Sequence, residues 1–234
     1  MSVNDAINHI LNAPAPILMF DTCGLLDVMR FPRTGFISHN SIVNASRLIQ
    51  DPRGIHIVVT ETVLKEYKKL IDDEQKQTKN ALALIDRQHN SLYQAMQHLP
   101  DAAVNPYPGS QPVLIGADDV ANRIRMLIEG LLSKAICLIL DKSILDSVTL
   151  RQAQNKLPAR NGKGHPDCAI IESYFALMEG VRNNDISEKA WFISSNKSDF
   201  CSDGYKIHED LAGNFNMLQL DFLSELSRLP LDAI

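Results

Sequence analysis

The sequence predicts an α/β fold: a three-layer α/β/α arrangement around a mostly parallel central sheet of four to five strands, with a helical insertion. Three observations carry this. Short apolar runs end abruptly in polar residues, the runs are followed by apolar residues at helical spacing, and 234 residues with 45% hydrophobic and 22% charged content suffice for one sizeable core.

In chain order, the first run is Ile17-Leu-Met-Phe20, which stops at Asp21. This is the pattern of a buried strand whose C-terminal end opens onto something polar. The run Ile55-His-Ile-Val-Val-Thr60 is rich in β-branched residues and leads into Val63, Leu64, Tyr67, Leu70 and Ile71, which share one helical face. Ala190-Trp-Phe-Ile-Ser194 repeats the strand pattern, and Asn214-Phe-Asn-Met-Leu-Gln-Leu220 is the candidate closing strand. Strands alternating with amphipathic helices imply βαβ units.

From about 74 to 156 strand signals are few. Ala81, Leu84, Ile85, Leu92, Met96 and Leu99 recur at helical spacing, Pro106-Tyr-Pro-Gly-Ser-Gln-Pro112 interrupts them, and Val120, Ile124, Leu127, Leu131 and Leu132 resume. Only one linker-like stretch, Lys156-Leu-Pro-Ala-Arg-Asn-Gly-Lys-Gly164, borders this region. The expectation is therefore one domain over 1–234, with 74–156 as a helical insertion packed on it.

No stretch approaches the roughly 20 apolar residues of a membrane span, and the first residues lack a basic segment followed by an apolar one, so a cytoplasmic protein is expected. Cys23, Cys137, Cys168 and Cys201 have no CxxC spacing and read as free, buried thiols. The histidines, among them His39, His56, His89, His98, His165 and His208, lack the spacing of zinc ligands. A formal charge of −5 argues against coating duplex DNA by bulk electrostatics, while a local grip on nucleic acid stays open. The Lys65-Glu-Tyr-Lys-Lys69 cluster reads as a solvated helix face, and 6% aromatic residues offer no evident base-stacking platform.

Acids at strand ends carry the chemistry, because ligands of open parallel sheets bind outside the carboxyl ends of the strands. Asp21 ends the first strand; its competing role is an N-cap for the next helix. Asp167 opens a helix behind Pro166 and shares a face with Ile170, Ile171, Tyr174 and Met178, so its carboxylate points inward and needs a partner such as a metal ion. Glu66 lies in one helical column with Val63 and Leu70, with Glu61 as its substitute in another register. Asp199 follows the third strand in Ser194-Ser-Asn-Lys-Ser-Asp-Phe200, where Asn196 and Asp199 also fit a capping box. Carboxylate oxygens select hard cations, magnesium or manganese, and such a site activates water for displacement at a phosphodiester.

Four segments in this order, ILMFDTCGLLD, VVTETVLKEYKKL, GKGHPDCAIIESYF and WFISSNKSDF, resemble the PIN domain, a ribonuclease fold. The resemblance covers about residues 15 to 72 and 158 to 222, and the long insertion is similar to that of larger bacterial PIN-like proteins. It implies that Asp21, Glu66, Asp167 and Asp199 hold Mg2+ or Mn2+, that Asn196 and Ser195 are polar helpers at the substrate, and that Arg160 and Lys163 contact phosphate. It further implies an RNA substrate, a toxin or defence role restrained by an antitoxin or regulatory protein, and a homodimer. Asn196 stands where many relatives carry another acid, and Glu172 lies about 140° around its helix from Asp167, a position for indirect support only.

Two alternatives differ in class. A haloacid-dehalogenase-like phosphatase also places Asp after an apolar strand, but Asp21-Thr-Cys23 lacks the second Asp that serves there as general acid. A PIN-like module with an incomplete site would bind RNA or protein without cleaving.

Overall fold

A computed structural model describes residues 1–34, 38–50, 54–97, 116–159, 164–202 and 206–230. In chain order these form α1 (Val3–Asn12), β1 (Ile17–Phe20), α2 (Thr22–Arg30), α3 (Asn40–Gln50), β2 (His56–Thr60), α4 (Glu61–Gln97), α5 (Ala117–Ser133), β3 (Ile136–Leu138), α6 (Lys142–Ala153), α7 (His165–Arg182), β4 (Ala190–Ile193), α8 (Lys197–Phe200), α9 (Glu209–Met217) and β5 (Leu220–Leu223).

The sheet has five strands in the order β3-β2-β1-β4-β5, and every neighbouring pair is parallel. The expected α/β class therefore stands. All side chains of β1 and β4 are buried, as an apolar run without alternation requires when helices cover both faces. Helices α2, α3, α4 and α5 pack on one another, and α1 and α6 pack on α7. From β1 the chain steps outward through β2 to β3, then crosses to β4 and β5 on the other side. The order thus reverses between β1 and β4, and their helices diverge to leave a crevice at the strand ends.

Helix α7 seals the sheet. Its Ile170, Ile171, Tyr174 and Met178 are fully buried, and Tyr174 donates its hydroxyl to the carbonyl of Phe20 at 2.5 Å, beneath the end of β1. Each such side chain contributes about 1.5–3 kcal/mol on burial, so this helix anchors the site's floor. Helix α4 begins directly at the end of β2, capped by the Thr60 hydroxyl, which accepts from the Val63 N–H at 3.2 Å. Its Val63, Tyr67, Ile71, Glu74 and Thr78 are buried at steps of three and four, whereas Leu84, Ile85 and Leu92 further along are exposed. The 37-residue helix thus leaves the core midway.

Two expectations are corrected. The segment 214–220 is not a strand: Leu211, Phe215 and Leu218 are buried at helical spacing in and after α9, Met217 is exposed, and the closing strand is β5, beginning at Leu220. The 74–156 region is also not purely helical, since β3 extends the sheet at its edge. The signal was the apolar run Ala135-Ile-Cys-Leu-Ile-Leu140, ended by Asp141 as the N-cap of α6. No described helix is long and apolar enough to cross a membrane.

Candidate active site

The crevice at the reversal of strand order is built around Asp21. β1 delivers it at its C-terminal end, where it caps α2: Oδ1 accepts the Thr22 N–H at 2.7 Å. Its other oxygen, Oδ2, accepts the Ser194 hydroxyl at 2.7 Å from the end of β4, so one carboxylate ties the two central strands together across the switch point. The capping reading of this residue holds. Gly24 makes the arrangement possible, because a Cβ there would stand 2.7 Å from the Ile193 carbonyl oxygen. Only glycine lets the first turn of α2 lie this close to β4.

Asp21 is 2% exposed, and burial pushes its carboxyl up to about 6 against the pull of the hydrogen bonds from Ser194 and Thr22. Glu66, half-buried on α4, accepts the Thr22 hydroxyl at 2.6 Å, so Thr22 serves two acids, one through its backbone and one through its side chain. Asp167, in the first turn of α7, has its carboxyl raised to about 7, first by burial and then by the negative charges of Asp21, Asp199 and Glu66. α7 can start here because Gly164 takes φ 85° and a Cβ on it would meet the Pro158 carbonyl oxygen at 2.4 Å. Asp199, on the short α8, accepts from the Asn196 amide at 2.7 Å.

Asp21, Glu66 and Asp167 line one cleft of about 240 Å³, together with Thr22, Cys23, Leu26, Arg30, Lys69 and Leu70. Asp199 stands within electrostatic reach of Asp167. Among the described residues no three acidic, His or Cys side chains converge tightly enough to grip an ion as they stand. The donor set nonetheless matches a hard divalent cation: only carboxylate oxygens, mutually repelling, one of them desolvated inside the fold.

The other singled-out residues fall as follows. Both amide atoms of Asn196 are engaged, Nδ2 with Asp199 and Oδ1 with the Ser198 hydroxyl at 2.8 Å, so it orients Asp199 rather than facing the cleft freely. Ser195 lies close to Asp27, a carboxyl buried to 3% exposure and raised by that burial. Glu172 is ion-paired with Arg151 and removed from the acids, and Glu61 pairs with Lys65. Arg160 and Lys163 lie outside the described residues. His56 and His208 make local hydrogen bonds, and the four cysteines are free, two buried and two half-buried. Three groups escaped the sequence reading. The hydroxyls of Thr22 and Ser194 stand two and one positions past the ends of β1 and β4, and Lys69, exposed on α4, also lines the cleft.

A family model described as the PIN domain matches residues 18–200, a span that contains all four acids. No curated protein and no solved structure matches the chain.

Proposed function

The chain belongs to the PIN domain family, whose members are generally nucleases that use a divalent metal ion, and from that premise we propose that it is a metal-dependent endoribonuclease. The observation that carries this reading is the coupling of Asp21, Glu66, Asp167 and Asp199, from four distant parts of the chain, at one end of the sheet. When bound, Mg2+ or Mn2+ supplies positive charge against the acids and the phosphodiester and makes water a competent nucleophile.

The chain's own groups hold and orient. Ser194 and the Thr22 N–H fix the two oxygens of Asp21, the Thr22 hydroxyl fixes Glu66, and Asn196 fixes Asp199. Such supporting hydrogen bonds set the direction of the donor oxygens before substrate arrives. Covalent catalysis by the nearest thiol is disfavoured, because burial pushes Cys23 up to about 12 and leaves no thiolate at neutral pH. Water is therefore the nucleophile in this reading.

The test is cleavage of a labelled RNA and of the matching DNA with Mn2+, Mg2+ or chelator, by the intact protein and by Asp21→Asn and Asp167→Asn. Cation-dependent RNA cleavage lost in both variants supports the proposal. RNA binding without cleavage would assign an incomplete, non-hydrolytic module instead.

A further inference from the structure

The cleft that holds the acids has a cationic far wall. Lys69 follows Glu66 by three positions on α4, about 4.5 Å further along the helix axis, and Arg30 ends α2 about 13 Å along its axis from Asp21. Both line the cleft. Cys23, Leu26 and Leu70 also line the cleft along the seam of α2 and α4.

The two cations differ in how they are held. Lys69 is exposed and has no hydrogen bond or ion pair among the described residues, an unusual freedom beside so many carboxylates. Arg30 is fixed: Nε and Nη2 donate to Glu74 Oε1 at 3.0 and 2.6 Å, and Nη1 lies 3.5 Å from Asp27 Oδ1. Glu74 also pairs with Arg33. Two nearly buried acids, neither of them among the four proposed cation-binding carboxylates, thus hold one guanidinium rigid at the edge of the cleft it lines.

Resting on the nuclease reading above, we propose that the substrate strand leaves the acids across the α2–α4 seam. Lys69 takes the phosphate adjacent to the scissile one, Arg30 takes a phosphate further along, and sugar or base packs on the exposed Leu70. The chemistry requires such a grip, since a polyanion approaching acidic side chains on a chain of net charge −5 needs local cations to offset the repulsion.

The experiment measures binding of a labelled single-stranded eight-nucleotide RNA by fluorescence anisotropy across a salt series, in the full-length Asp21→Asn protein so that no cleavage intervenes. Adding Lys69→Ala is expected to weaken binding roughly 3–10-fold and to flatten the plot of log affinity against log salt by about 0.7, the value for one phosphate contact on a single strand. Lys65→Ala makes the same charge change on α4 but removes a lysine paired with Glu61, and is expected to leave both quantities unchanged. Arg30→Lys, which keeps a charge beside Glu74 and so spares the fold, is expected to weaken binding without changing the slope. In the cleaving protein, Lys69→Ala raises KM on the eight-mer by a larger factor than on a dinucleotide carrying the scissile phosphate alone.

Equal effects of Lys69→Ala and Lys65→Ala, or none from either, overturn the proposal while leaving any observed cleavage intact. Lys69-dependent binding by a protein that never cleaves overturns the nuclease reading instead.

Discussion

Replacing Asp21 by Asn is expected to stabilise the metal-free protein while destroying its activity. Burial raises this carboxyl from 3.8 to about 6, and at about 1.36 kcal/mol per pH unit the ionised group carries ~3 kcal/mol of destabilisation at pH 7.5. Asn keeps the shape and both hydrogen bonds: its oxygen accepts the Thr22 N–H, and its amide donates to Ser194 once that hydroxyl rotates. For a chain of this length 1 kcal/mol moves Tm by about 2–4 °C, so the variant should melt up to ~6–12 °C higher in chelator. The sign follows from proton binding. The folded state holds this proton more tightly than the unfolded chain, so the intact protein loses stability as pH rises from about 4 to about 6 and stays at the lower level above that. The gap between the two proteins should therefore close at pH 4. Saturating Mn2+ should also close or reverse it, because a cation at 100 times its Kd stabilises the intact protein alone by about 2.7 kcal/mol. Differential scanning calorimetry at pH 4 and 7.5, with chelator and with Mn2+, measures all four cases. A variant that melts lower than the intact protein in chelator at pH 7.5 would refute the argument, for it would show the ionised carboxylate acting as a stabilising helix cap.

Because a proton competes with the cation for a carboxyl raised to about 7, Mn2+ affinity should fall as pH drops below about 7; titration calorimetry at pH 6 and 8 checks this, and Asp167→Asn should abolish the dependence along with the binding. Thr22→Val removes the hydroxyl that orients Glu66 and should weaken Mn2+ binding by about 10-fold or more with little change in Tm. Gly24→Ala drives a Cβ against the Ile193 carbonyl oxygen and should cost about 1–3 kcal/mol in urea denaturation, with a loss of cleavage beyond the loss of folded protein.

The central strands were legible because burial on both faces leaves an uninterrupted apolar run, as in Ile17 to Phe20 and Ala190 to Ile193, and Asp21 was legible because it stands where the first run stops. The edge was not. β3 is three residues long and pairs on one side only, so its six-residue apolar surround reads equally well as helix, and β5 begins just past a buried helical stripe. Within the site, residue type was readable and orientation was not. Lys65, Lys68 and Lys69 look alike in sequence, yet the phase of α4 sends one to Glu61 and another to the cleft. Likewise nothing in a strand-end serine announces that it meets an aspartate at the far end of the chain.

That meeting of Asp21 with Ser194 across 173 positions has a consequence for the protein's own birth. No stretch shorter than residues 21–199 contains all four acids, since they are spread from Asp21 to Asp199. At the ribosome's pace of about 5–20 residues per second, roughly 10–35 s separate the two. Throughout that interval the nascent polypeptide lacks the complete acid set, so the proposed nuclease cannot act on the message that encodes it before Asp199 has been made.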